Sequence, residues 1–287
     1  MDVLRAQTAG FCMGVSLALQ KLDAALGDYP EKRKCTLGPL IHNPQVLADY
    51  AARGVVCLDD TSPASAGDCV VIRAHGIPRE QESRIRESGA LIVDATCPKV
   101  KRAQLAIARA TREGAPLFLF GEADHPEVRG LVSYASGQAH VFGTLDELKA
   151  LPVPDGITCV LASQTTQDRS IFESVREHLQ ERVAAASGQL TVLATICDAT
   201  RERQEEARAI AGQAEAMVVV GGRQSGNTRR LADVAAACGI PTFHVETAQE
   251  LKAEDFAKKS RVALTAGAST PKSLIDAAEE FLRGVQS

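Results

Sequence analysis

The chain has 287 residues, 45% of them hydrophobic, and a formal net charge of −4 from 36 acidic and 32 basic side chains. That length is enough for two or three small α/β cores, and the acidic balance excludes nucleic acid as the main partner, since phosphate-backbone binding needs dense Lys and Arg. No apolar run reaches the ~20 residues that span a bilayer. The first residues lack a basic flank followed by an apolar stretch, and eight cysteines without an export signal read as thiols of a reducing compartment. The expectation is a cytoplasmic protein with no membrane partner.

In chain order, an apolar strand around Val3-Leu4 leads to Gly10-Phe11-Cys12. Apolar residues then recur at Val15, Ala18, Leu19, Leu22 and Ala25, a helical period. A second strand breaks into Ile41-His42-Asn43-Pro44, a helix follows, and a third strand, Val70-Val71-Ile72, runs into Arg73-Ala74-His75-Gly76. The pattern then starts again. Leu91-Ile92-Val93-Asp94-Ala95-Thr96 leads to Cys97, with Pro98 at the first helical position ahead of Val100, Ala103, Ile107 and Ala110. The next polar loop is Ala123-Asp124-His125-Pro126-Glu127, and Val160-Leu161-Ala162-Ser163 runs into Gln164-Thr165-Thr166. A third round reads Thr191 to Cys197, then Gln224-Ser225-Gly226-Asn227, then Ala263-Leu264-Thr265-Ala266-Gly267-Ala268-Ser269.

The spacing supports a repeat. Cys12 to His42, Cys97 to His125 and Cys197 to Asn227 are 30, 28 and 30 positions apart, and Glu-Leu-Lys-Ala occurs at both 147–150 and 250–253. Alternating strands and helices with β-branched strand runs predict three parallel α/β units, placed at 13–96, 97–193 and 194–287 with the strand of 1–12 near the centre. Loops leaving the carboxyl ends of parallel strands build ligand sites. Three units around a pseudo-threefold axis would turn three cysteines and three sets of polar residues toward one cavity. Monotony of βα loops, which carry Ser, His and Asn as helix caps by habit, is the plain alternative.

Three convergent thiolates suit an iron–sulfur cubane with one iron left open as a Lewis acid. Zinc is the competitor, but structural zinc sites use close Cys pairs, and no Cys-x-x-Cys occurs here. A further reading makes all the cysteines packing thiols. That reading is adopted for Cys57, Cys69, Cys159 and Cys238, while Cys35 is left without one. The loop residues His42, His75, His125, Thr165, Ser225, Asn227 and Ser269, with helix N-termini close by, suit an anion. Without a P-loop or dinucleotide fingerprint, a compact diphosphate ester fits better than ATP or NAD.

The blocks Gly10-Phe11-Cys12-x-Gly14-Val15, His42-Asn43-Pro44-Gln45-Val46, Arg73-Ala74-His75-Gly76, Asp94-Ala95-Thr96-Cys97-Pro98 and His125-Pro126-Glu127-Val128 resemble the IspH/LytB family of 4-hydroxy-3-methylbut-2-enyl diphosphate reductases. Gln164-Thr165-Thr166, Thr195-Ile196-Cys197-x-Ala199-Thr200 and Thr265 to Pro271 continue the resemblance over essentially the whole chain. It implies an α/β trefoil around a [4Fe–4S] cluster on Cys12, Cys97 and Cys197. The implied reaction is reductive dehydroxylation, the last step of the methylerythritol phosphate isoprenoid route, with ferredoxin or flavodoxin as electron donor. It also implies that His42, His75, His125, Ser225, Asn227 and Ser269 hold the diphosphate. Thr165 lies beside the substrate hydroxyl, and Glu127 supplies protons, so Glu127, His125 and Thr165 form the expected catalytic set.

Three departures are visible. Gly226 stands where the family usually has a second serine, Asp198 where a tyrosine is usual, and Arg201-Glu202-Arg203-Gln204 replaces a more neutral stretch; all three are expected to affect surroundings, not ligands. An open-iron dehydratase and a cluster-based oxygen sensor are the rival functions. A dehydratase would turn over without external electrons.

Overall fold

A computed structural model describes residues 1–59 and 63–285. Twelve strands among the described residues form three four-stranded sheets, parallel at every pairing. In chain order, β1 (Asp2–Arg5) precedes α1 (Met13–Asp28), β2 (Arg33–Leu37), α2 (Pro44–Ala52), β3 (Val56–Leu58), β4 (Asp68–Ile72), α3 (Arg79–Glu87) and β5 (Leu91–Asp94). Next come α4 (Pro98–Ala110), β6 (Leu117–Phe120), α5 (Pro126–Val132), β7 (Ala139–Phe142), α6 (Leu145–Ala150), β8 (Thr158–Ser163), α7 (Arg169–Ala185) and β9 (Gln189–Val192). The chain closes with α8 (Asp198–Ala211), β10 (Met217–Val220), α9 (Gly226–Ala236), β11 (Thr242–Val245), β12 (Arg261–Ala266) and α10 (Lys272–Gly284).

The strand orders are β3-β2-β4-β5, β7-β6-β8-β9 and β11-β10-β12-β1. All three are the same arrangement. The expected three α/β units with parallel sheets are therefore present. Each sheet nevertheless has one strand more than the motif-bearing segments suggested. The additions β3, β7 and β11 are edge strands of three or four residues, too short to leave a periodic signal. The strand leading to each cysteine is the other edge of its sheet: β5 before Cys97, β9 before Cys197, and β1 before Cys12.

By compactness the chain divides into two units. One comprises Met1–Ser16, Ile41–Arg53 and Asp198–Ser287 and holds the sheet of β1; the other comprises Leu17–Leu40 and Gly54–Cys197 and holds the remaining two sheets. The central strands β6 and β10 are packed on both faces and read as unbroken apolar runs, whereas the central strand β2 reads Arg33-Lys34-Cys35-Thr36-Leu37. In β6, Phe118 and Phe120 pack with Phe142, Leu161 and Phe172, while Leu117 and Leu119 face Ala103, Ile107 and Val160 on the other side. Truncating either fully buried phenylalanine to Ala would cost about 3–5 kcal/mol.

Helix starts are fixed by local chemistry. Asn43 Oδ1 accepts the Val46 N–H at 3.0 Å ahead of Pro44, and Ser225 Oγ accepts the Thr228 N–H at 3.3 Å. Pro98 and Pro126 occupy first-turn positions of α4 and α5, where the missing N–H costs nothing.

Candidate active site

In each sheet the strand order reverses between its two central strands, so the loops after them flank a crevice at the carboxyl ends. The polar loops named from the sequence are those loops. In the larger unit, the loop after β6 carries His125 and leads into Glu127 in the first turn of α5, and the loop after β8 carries Thr165. They are bonded across the switch point. Thr165 donates its N–H to Glu127 Oε1 at 2.6 Å and its hydroxyl to Oε2 at 2.9 Å. Glu127 is only 1% exposed. Its own N–H donates to His125 Nδ1 at 3.1 Å, which fixes Nδ1 as an acceptor and leaves the proton of the neutral ring on Nε2. The His125 and His75 rings meet edge to face, with centroids 5.4 Å apart.

The cysteine loops show the same bond three times. Cys97 donates its backbone N–H to Ala74 O at 2.9 Å, Cys197 to Thr165 O at 2.9 Å, and Cys12 to Ala268 O at 3.0 Å. In every case the acceptor lies in the loop after the third motif-bearing strand, at or just before His75, Thr165 and Ser269. All three side chains are half-buried, and none is in a disulfide among the described residues.

The other cysteines differ. Cys35, Cys69 and Cys159 are fully buried within strands, and burial pushes each thiol up from its ordinary value, which keeps sulfur protonated. Cys35 thus belongs with the packing thiols. Two expectations need correction: Cys57 and Cys238 are exposed. Cys57 sits on the open edge strand β3, and Cys238 follows the end of α9, where its thiol donates to Val234 O at 3.3 Å.

In the smaller unit, Ser225 caps α9 and Asn227 lies in its first turn, after Gly226. The Asn227 amide nitrogen is buried and donates to no group among the described residues. The Ser269 hydroxyl donates to His42 O at 3.1 Å, and a Cβ on Gly222 would sit 2.7 Å from that same carbonyl. These contacts place the loops of Ser225, Ser269 and His42 side by side. A Cβ on Gly267 would overlap the Thr228 hydroxyl, so glycine there lets the start of α9 close against β12.

Sequence reasoning missed Arg203. It was grouped with the changed surroundings, yet it is 5% exposed and donates to Gly10 O at 2.7 Å and Ala199 O at 3.0 Å. It pins the approach to Cys12. Its spacing on α8, in register with buried Thr200, Ala207 and Ile210, was the available signal.

The LytB protein family matches residues 3–283. The chain belongs to the LytB family. A 4-hydroxy-3-methylbut-2-enyl diphosphate reductase of Desulfovibrio desulfuricans is 65% identical, covering 98% of this chain and 99% of that protein. The reductase of Geobacter sulfurreducens is 44% identical, covering 96% and 95%. The solved structure of an (E)-4-hydroxy-3-methyl-but-2-enyl diphosphate reductase, the terminal enzyme of the non-mevalonate pathway, is 37% identical with a TM-score of 0.71 and 99% coverage of both chains. A LytB fold is also seen in a Plasmodium falciparum reductase structure, at TM-score 0.91 and 22% identity, covering 98% of this chain and 87% of that one. Among the described residues no helix is long and apolar enough to cross a membrane.

Proposed function

We propose that the chain is an iron–sulfur reductase acting on (E)-4-hydroxy-3-methylbut-2-enyl diphosphate, giving isopentenyl and dimethylallyl diphosphate. Family membership supports the reaction. The observation that carries it on this chain is the thrice-repeated cysteine N–H bond to the third-strand loop, each with a half-buried thiol outside any disulfide among the described residues. Cys12, Cys97 and Cys197 would hold the cluster, and the three units would run over 13–96, 97–193 and 194–287. The donor set fits: three soft thiolates and no short Cys pair favour an iron–sulfur cubane over structural zinc. When bound, such a cluster supplies electrons singly and an open iron that polarises a hydroxyl oxygen.

The chain's own residues do the rest. The allylic C–O bond breaks, two electrons and two protons are consumed, a C–H bond forms, and oxygen leaves as water. Hydroxide leaves poorly, so a proton must reach that oxygen as the bond breaks. Protonated Glu127 would donate to Thr165 Oγ, whose hydroxyl passes its own proton to the leaving oxygen. The Nε2–H of His125, together with His42, His75, Ser225, Asn227 and Ser269, would bind the diphosphate, with the Gly226 N–H at the helix start in place of a second serine. Ser269 must then turn from His42 O to reach phosphate. The electrons would come from a ferredoxin or flavodoxin.

An anaerobic assay with reduced methyl viologen and the diphosphate substrate tests the reading. It predicts dye oxidation coupled to both products. Substrate consumption without dye oxidation would identify a dehydratase instead.

A further inference from the structure

From Pro98 to Arg112 the chain carries Lys99, Lys101, Arg102, Arg109 and Arg112 and no acidic residue, within a protein of net charge −4. The helix α4 buries Val100, Ala103, Gln104 and Ile107. The opposite face is an exposed stripe of Pro98, Arg102, Leu105 and Arg109, continued by Arg112 in the turn beyond. Leu105, at its middle, is 55% exposed. Lys101 is paired with Asp94 at 3.4 Å, and exposed Glu113 follows at the far end. Among the described residues Arg102, Arg109 and Arg112 have no acidic partner. The stripe starts at the residue after Cys97, and Arg102 lies about 7.5 Å along the axis from it.

An apolar centre among unpaired arginines is the composition of a protein-binding patch, where Arg is enriched. Three free cations are too few for the six to ten phosphate contacts typical of nucleic-acid binding. We infer that this face docks an acidic one-electron carrier protein, delivering electrons at the Cys97 end of the helix. This rests on the reductase reading. Transient redox complexes are small, under about 1,200 Å², and opposite charge mainly raises their rate of encounter.

The test uses cluster-loaded enzyme and an acidic flavodoxin, with two readouts. One is binding of oxidised flavodoxin by calorimetry; the other is the second-order rate of enzyme reduction by the reduced form, both at about 0.02 M and about 0.2 M salt. R102E/R109E/R112E should weaken binding and slow reduction about ten- to a hundredfold at low salt, with the difference shrinking at high salt. The neutral R102Q/R109Q/R112Q variant should fall between, which guards against a folding defect in the reversed one. Leu105→Ser should weaken binding at both salt levels. Viologen-driven turnover should be unchanged in all three. Flavodoxin binding and reduction that match wild type in the charge-reversed protein, or wild-type rates insensitive to salt, would overturn the inference. Loss of viologen turnover in wild type would instead strike the reductase reading, leaving calorimetry to judge the surface.

Discussion

Replacing Glu127 with Gln separates a proton donor from a loop fastener. Both carboxylate oxygens are committed to Thr165, to its N–H at 2.6 Å and its hydroxyl at 2.9 Å. The amide oxygen of Gln can keep the N–H bond, and the Thr165 hydroxyl can rotate to accept from the new NH₂. The lost charge-assisted character should therefore cost only about 1 kcal/mol, or roughly 1.5–2 °C in melting temperature for a chain of this size. Turnover should fall much further, by about 10²–10⁴, equivalent to about 2.7–5.4 kcal/mol of barrier. Thr165→Val is the companion. It removes the hydroxyl relay but spares the N–H bond to Glu127, so turnover should drop comparably while the loop stays in place. The assay is steady-state reduction under saturating chemical donor, with cluster content and substrate affinity measured alongside. Near-normal turnover in Glu127→Gln would refute the relay and reduce the residue to a tie between two loops.

Alanine at His42, His75, Ser225, Asn227 or Ser269 should each weaken diphosphate binding about ten- to a hundredfold by calorimetry, since a hydrogen bond to a charged group is worth about 1.5–3 kcal/mol; cluster content should not change. Gly267→Ala should push Thr228 aside and destabilise by about 1–3 kcal/mol, read as a lower urea midpoint with weaker substrate binding. Asp68 is gripped by Arg33 through two bonds of 2.7 and 2.9 Å, and that hydrogen bonding lowers its pKa from 3.8 to about 2. A depressed carboxylate contributes its stability above its unfolded value and loses it as pH falls through the folded one. Acid unfolding between pH 3.8 and about 2 should thus be shallower in Asp68→Asn, by urea midpoints across that range.

The motif-bearing strands and their loops were legible because a buried parallel strand is a continuous apolar run that stops at polar residues, as at Val70–Ile72 and Val160–Ser163. The edge strands were not. Val56–Leu58 is three residues long with Val56 and Cys57 exposed, so it carries neither period nor burial signal, and the packing role expected of Cys57 failed for the same reason. Nor does any local pattern tell β1 to pair with β12, with Asp2 beside Arg261. Such a partnership across nearly the whole chain is settled by tertiary packing. At the site, residue types and spacing marked the loops, but not their internal bonds. That Glu127 turns inward to Thr165 rather than capping α5, and that Arg203 holds the Gly10 carbonyl, depend on contacts between segments distant in sequence.

The central claim is that Cys12, Cys97 and Cys197 together hold one cluster. Anaerobic reconstitution of Cys12→Ser, Cys97→Ser and Cys197→Ser, followed by iron and sulfide analysis and Mössbauer spectroscopy, tests it directly, with Cys35→Ser, Cys69→Ser and Cys159→Ser as controls. Each of the first three should lose the [4Fe–4S] signature, and the controls should keep it. An intact [4Fe–4S] spectrum in any one of the first three would contradict the ligand set.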